Sequence, residues 1–176
     1  MAQLDLPLLG ITAWSGTGKT TLLKQLIPQL RKKEIRVGMI KHTHHDMDVD
    51  KPGKDSYELR KAGADQTLVA SQQRWALMTE TPELPELDLY YLASRFDASK
   101  LDLILVEGFK GETIPKIALY RDINERNFNE LLDEHVIAVA SDCDLNIDFP
   151  LLDINNPEAI AQFIADWLKR INHKAP

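Results

Sequence analysis

Residues 13–21, Ala-Trp-Ser-Gly-Thr-Gly-Lys-Thr-Thr, place two glycines, a lysine and three threonines within one turn of chain. Such a turn does one kind of chemistry well, which is holding an anion. Gly16 and Gly18 let backbone N–H groups point inward around a phosphate. If a helix begins here, its N-terminus adds about half a positive charge. Lys19 then reaches the terminal phosphates, the Thr20 hydroxyl is placed for Mg²⁺, and Thr21 lies nearer the α-phosphate. Ser15, Gly16, Thr17, Gly18, Lys19, Thr20 and Thr21 are therefore the candidate nucleotide-binding residues. The pattern departs from the common form in one place. Ala13 stands where glycine is usual, so the first bend must avoid a positive φ.

A phosphate loop also needs a carboxylate for the metal or for the attacking water. Leu-Asp-Leu-Ile-Leu-Val-Glu-Gly, 101–108, ends an apolar run in Glu107, the candidate catalytic residue and a candidate Mg²⁺ ligand beside Thr20. Residues 40–56 hold a third group: Lys41, His42, His44, His45 and Lys54, with Asp46, Asp48, Asp50 and Asp55. Their spacing matches no structural zinc pattern, and cysteine is absent from the segment. Alternating carboxylates suit calcium, but the glycine and terminal glutamate of such a loop are missing. A dedicated metal site and a solvated polar loop stay open as alternatives. The favoured reading is a loop whose lysines and histidines face an anionic cofactor or a partner, with Asp55 turned toward Mg²⁺ and the other carboxylates toward solvent. Asp55 or Ser56 is expected to cap the helix that follows.

These residues need elements to position them. Leu8–Ala13 reads as a buried strand and Thr20–Lys33 as a helix, with Leu22, Leu23, Leu26, Ile27 and Leu30 on one face and Pro28 expected to kink or loosen it. Val37–Ile40, Leu103–Val106, Lys116–Tyr120, Val136–Ala140 and Leu151–Ile154 read as further strands. Thr67–Ala70 and Trp75–Thr79 are close enough for a hairpin. Ser56–Ala62, closed by Gly63, and Leu87–Arg95 read as short helices. The last helix opens on Asn156 and Pro157 and carries Ile160, Phe163, Ile164, Trp167, Leu168 and Ile171 as its apolar stripe. Recurring strand–helix–strand order argues a largely parallel sheet covered on both faces. Each candidate residue then falls at the C-terminal edge of the sheet, where such folds bind ligands.

The chain has 176 residues, 44% of them hydrophobic and 27% charged, which suits a single globular domain, 1–176. A formal charge of -6 argues against broad nucleic-acid binding. The lone cysteine, Cys143, fits a reducing compartment. The N-terminal residues do not read as a signal peptide, and no apolar run approaches the length of a membrane span. The expected location is the cytoplasm.

In order, SGTGKTTL, KHTHHDMDVDKPGKDS, AGADQTLVAS and LDLILVEGFK resemble the molybdopterin-guanine dinucleotide biosynthesis protein B (MobB) family over roughly residues 8–170. The histidine-rich block is the specific part, since phosphate loops are widespread. The resemblance implies a three-layer α/β P-loop NTPase fold with a mostly parallel sheet and a β-hairpin extension. It also implies GTP binding with weak hydrolysis, a homodimer, and partnership with the guanylyltransferase MobA. It further implies an adapter role in which molybdopterin or its guanine dinucleotide is bound or delivered.

Guanine selectivity has less support in the residues. The chain lacks an Asn-Lys-x-Asp stretch, and the nearest substitute is Ser141-Asp142-Cys143-Asp144, where either Asp is placed to accept from guanine; Asp142 is the candidate. The alternative functions are a small-molecule kinase or a GTP-driven metallochaperone of the same class. A kinase would need an arginine-rich lid, for which Arg121 to Arg126 is a weak candidate, and a fast GTPase would need a cationic finger beyond Lys19.

Overall fold

The computed structural model describes residues 6–43, 47–82, 86–109, 111–122 and 127–173. They form two compact units: the first from residues before and including His42 together with those from Asp88 onward, the second from Thr43–Leu87.

The first unit is built on a six-stranded parallel sheet. Its strands are β1 (Leu8–Thr12), β2 (Val37–Lys41), β5 (Leu103–Glu107), β6 (Lys116–Tyr120), β7 (Val136–Ser141) and β8 (Leu151–Asp153), in the order β2-β5-β1-β6-β7-β8. β5 and β6 are buried along their whole length, as expected of runs covered on both faces. Alternate residues face opposite ways. Leu9, Ile11, Leu105, Ile117, Leu119, Ala138 and Ala140 meet the apolar stripes of α1 (Lys19–Lys32) and α4 (Pro157–Asn172). The opposite face, from Leu8, Ile40, Ile104 and Val106, packs on Leu89 and Ala93 of α3 (Leu89–Ala93). Short 3₁₀ turns at Ala98–Lys100 and Phe128–Leu131 complete it. Each fully buried leucine contributes about 1.5–3 kcal/mol.

The expected elements are all present, with no end moved by more than two residues. α3 is the most shortened, with Asp88 accepting from the Tyr90 and Tyr91 N–H groups at its start. α1 runs without interruption through Pro28. Asn156 accepts from the Ala159 N–H and Pro157 occupies the first turn of α4.

The second unit holds α2 (Asp55–Lys61) and the antiparallel hairpin of β3 (Gln66–Ala70) and β4 (Trp75–Thr79). Gly63, at φ +113, ends α2, as expected. The helix start differs from expectation. Its N-cap is Lys54, without a side-chain cap, and Asp55 and Ser56 already lie inside the first turn. The carboxylates of the preceding loop also differ. Asp50 is withdrawn from solvent, and Asp48, although exposed, is also held to the same partner. Both accept from Arg60, at 2.7 and 2.6 Å, and Glu80 accepts at 3.2 Å. The reason is Arg60 itself, which is buried and must be neutralised there. Its hydrogen bond holds the Asp50 carboxyl below the usual range, with burial opposing.

Candidate functional site

β1 delivers the chain to the turn 13–18, and α1 starts immediately after. Gly16 and Gly18 take φ +84 and +88, the left-handed region that glycine occupies without steric cost. Among the described residues Glu34 is the only non-glycine with a positive φ, so Ala13 fits its place because the bend there avoids that region. α1 has neither a capping side chain nor an acidic residue in its first turn. Its leading N–H groups and positive dipole end remain available to an anion. Thr17 is buried, whereas Ser15, Gly16, Gly18, Thr20 and Thr21 are exposed. A cavity of about 270 Å³ is lined by Trp14, Ser15, Gly16, Gly18, Lys19, Thr20, Thr21 and Glu107. The Trp14 ring meets Tyr120 edge-on at 6.2 Å, and Tyr120 meets Phe128 at 5.3 Å.

Glu107 ends β5 and is 9% exposed, buried rather than merely a surface residue after a core strand. Its Oε1 lies 3.8 Å from Lys19 Nζ and 3.6 Å from Lys41 Nζ. Lys41 comes there because it pairs with Glu107 in the β2–β5 register. Sequence reasoning put Lys41 with the histidine loop and missed this second lysine on Glu107; its position at the end of a strand adjacent to β5 was the signal. Lys19 also reaches the Ala13 carbonyl at 3.5 Å. Thr20 and Glu107 thus line one cavity with the phosphate turn, a donor set that fits Mg²⁺, which takes one or two protein oxygens and keeps water and phosphate for the rest.

His42 donates its N–H to the Glu107 carbonyl at 2.9 Å, and its ring lies 5.1 Å from that of Phe109. Gly108, at φ +95, is packed so closely on His42 that a Cβ would meet its backbone oxygen at 3.0 Å. Lys54 and Asp55 belong to the second unit, at the start of α2. His44, His45, Asp46 and Arg126 lie outside the described residues.

The residue that sequence reasoning undervalued is Arg121, just past β6. It is no free lid or finger. Nε donates to the Thr17 carbonyl at 3.2 Å, Nη1 to Asp142 Oδ2 at 3.3 Å, and Nη2 to Asn155 Oδ1 at 3.0 Å. Asp142 Oδ1 also accepts the Asp122 N–H at 3.3 Å. The phosphate turn is thereby tied to the ends of β7 and β8.

A six-stranded parallel sheet between two helical layers, with this turn between β1 and α1, defines an α/β protein of the P-loop NTPase fold. Residues 8–142 match the model of a family described as MobB, Molybdopterin guanine dinucleotide synthesis protein B, and the chain belongs to that family. The molybdopterin-guanine dinucleotide biosynthesis adapter protein of Escherichia coli (strain K12) is 68% identical over 168 residues, 95% of this chain and 96% of the relative. That of Haemophilus influenzae is 55% identical over 93% of this chain and 90% of its own. A crystal structure of a molybdopterin-guanine biosynthesis protein B superposes with a TM-score of 0.75 at 26% identity, covering 92% of this chain and 99% of that one. Bacillus subtilis MobB superposes at 0.71 and 20% identity, over 91% and 97%, which speaks to the fold. The chain is thus an adapter of molybdopterin-guanine dinucleotide biosynthesis. Among the described residues no helix is long and apolar enough to cross a membrane.

Proposed function

We propose that the chain is a GTP-binding adapter with slow intrinsic hydrolysis, working in the cytoplasm as a homodimer with the guanylyltransferase MobA. The observation that carries the nucleotide reading is the uncapped start of α1 facing a cavity lined by Gly16, Gly18, Lys19, Thr20 and Glu107. The phosphates lie against the turn and Lys19. Thr20 and Glu107, which line that cavity, would hold Mg²⁺. The metal supplies charge neutralisation at the β- and γ-phosphates. Glu107 orients the attacking water. Hydrolysis is slow because Arg121 is engaged by Thr17, Asp142 and Asn155 and supplies no finger at the γ-phosphate.

The sequence segment that carries Lys41, His42, His44, His45 and Lys54 takes the anionic cofactor, molybdopterin or its guanine dinucleotide, or MobA. The test is retention of MobA on the immobilised protein with and without GTP–Mg²⁺. Replacing Lys54 and His45 by Ala should weaken retention while GTP titration is unchanged. Equal retention by variant and wild type would remove the loop from the adapter function. Stoichiometric zinc lost together with His44 and His45 would reassign it as a metal site.

A further inference from the structure

We infer that Asp142 and Asn155 form the pair that reads the guanine base, and that Arg121 is the positioning residue that sets both. This rests on the nucleotide reading above and names what selects the base within it.

The orientation of the ligand follows from the sheet. β5 and β6 flank β1 on opposite sides. Glu107, with Lys19 and Lys41 against it, stands at the end of β5, which marks that side for the metal and the terminal phosphate. The nucleoside therefore extends the other way, over the ends of β6, β7 and β8. Adjacent strands lie about 4.8 Å apart, so β7 ends about 10 Å from β1, within reach of a base attached to an α-phosphate at the turn.

Each of these three strand ends places one side chain in a single node: Arg121 after β6, Asp142 after β7 and Asn155 after β8. Its donor and acceptor inventory is suited to guanine. A carboxylate has about four lone-pair sites. Asp142 gives one oxygen to Arg121 and the other to the Asp122 N–H, which leaves each oxygen a further site. Those two accept the N1–H and N2–H₂ of guanine. Adenine presents an acceptor at N1, which the carboxylate repels. Asn155 is oriented by the same arginine. A guanidinium only donates, so the Asn155 oxygen must face Arg121 and its NH₂ is turned away, a donor for guanine O6. Arg121 also grips the Thr17 carbonyl, so one side chain fixes the distance between phosphate turn and base pocket.

The test is calorimetric titration of the full-length protein, in Mg²⁺, with GTP, inosine triphosphate, xanthosine triphosphate, ATP and inorganic tripolyphosphate. Wild type should bind GTP at least about tenfold tighter than inosine triphosphate, which lacks the 2-amino donor. Asp142→Asn should prefer xanthosine triphosphate, because the amide accepts N1–H and donates to O2. Asn155→Ala should narrow the GTP-to-ATP ratio about fivefold or more. Arg121→Lys should lose selectivity too, since an ammonium cannot span three acceptors. Tripolyphosphate binding should persist in Asp142→Asn and Asn155→Ala. Equal wild-type affinity for GTP and inosine triphosphate overturns the inference without need of any variant. So does an unchanged GTP-to-ATP ratio in Asp142→Asn and Asn155→Ala, and in both cases tripolyphosphate binding leaves the phosphate reading standing. A wild type that takes up neither GTP nor tripolyphosphate removes both.

Discussion

Replacing Glu107 by Gln removes one negative charge from between two lysines while keeping the side chain's shape. The 3.8 Å separation from Lys19 corresponds to about 4 kcal/mol of gross attraction at an effective dielectric of 20. Water reaches both groups, with side chains 20% and 11% exposed, so most of that is offset by lost hydration and about 1 kcal/mol remains. Without metal, the phosphates must compete with Glu107 for Lys19. Glu107→Gln should then bind GTP about fivefold tighter in EDTA. In excess Mg²⁺ the carboxylate instead serves the metal, so the gain disappears, affinity stays within about threefold of wild type, and turnover falls by at least about tenfold. Paired calorimetric titrations in EDTA and in Mg²⁺, with phosphate release measured alongside, check this. Equal EDTA affinities together with equal turnover would refute a role for Glu107 at the phosphates.

Gly38→Ala should destabilise the first unit, because a Cβ there meets Phe96 at 2.8 Å and Leu101 at 2.9 Å. Such overpacking costs about 1–3 kcal/mol, or roughly 3–10 °C in Tm, readable by thermal denaturation. Asp102 accepts a two-point hydrogen bond from Arg36, which holds its carboxyl below the usual range, with burial opposing. That stability is present above the unfolded value near pH 4 and is lost as pH falls through the lower folded value. The Tm difference between wild type and Asp102→Asn should therefore be full at pH 7 and close on acidification below about pH 4. A difference that is constant with pH would contradict it.

The fold was legible because its signals are local. Alternating strand and helix patterns, the glycine turn and the capped last helix all lie within short windows, and the sheet's parallel order follows from the crossovers. Glu107 was legible as a strand-ending carboxylate. Its partner Lys41 was harder to see, since the pairing depends on the β2–β5 register across more than sixty residues of chain. Arg121 was misjudged for a related reason. Its partners Thr17, Asp142 and Asn155 come from three separate stretches, and only the sheet order brings them together. The acidic loop residues looked solvated because nothing nearby in sequence announces a buried Arg60. That burial comes from the packing within the second unit.

The central claim is that the turn at 13–21 holds a nucleotide through Lys19. Calorimetric titration of GTP–Mg²⁺ onto wild type and Lys19→Ala, with circular dichroism of each, tests it most directly. The account predicts saturable binding by wild type, loss of binding by at least about a hundredfold in the variant, and matching spectra, because Lys19 faces the cavity rather than the core. Undiminished binding by a folded Lys19→Ala protein would contradict it.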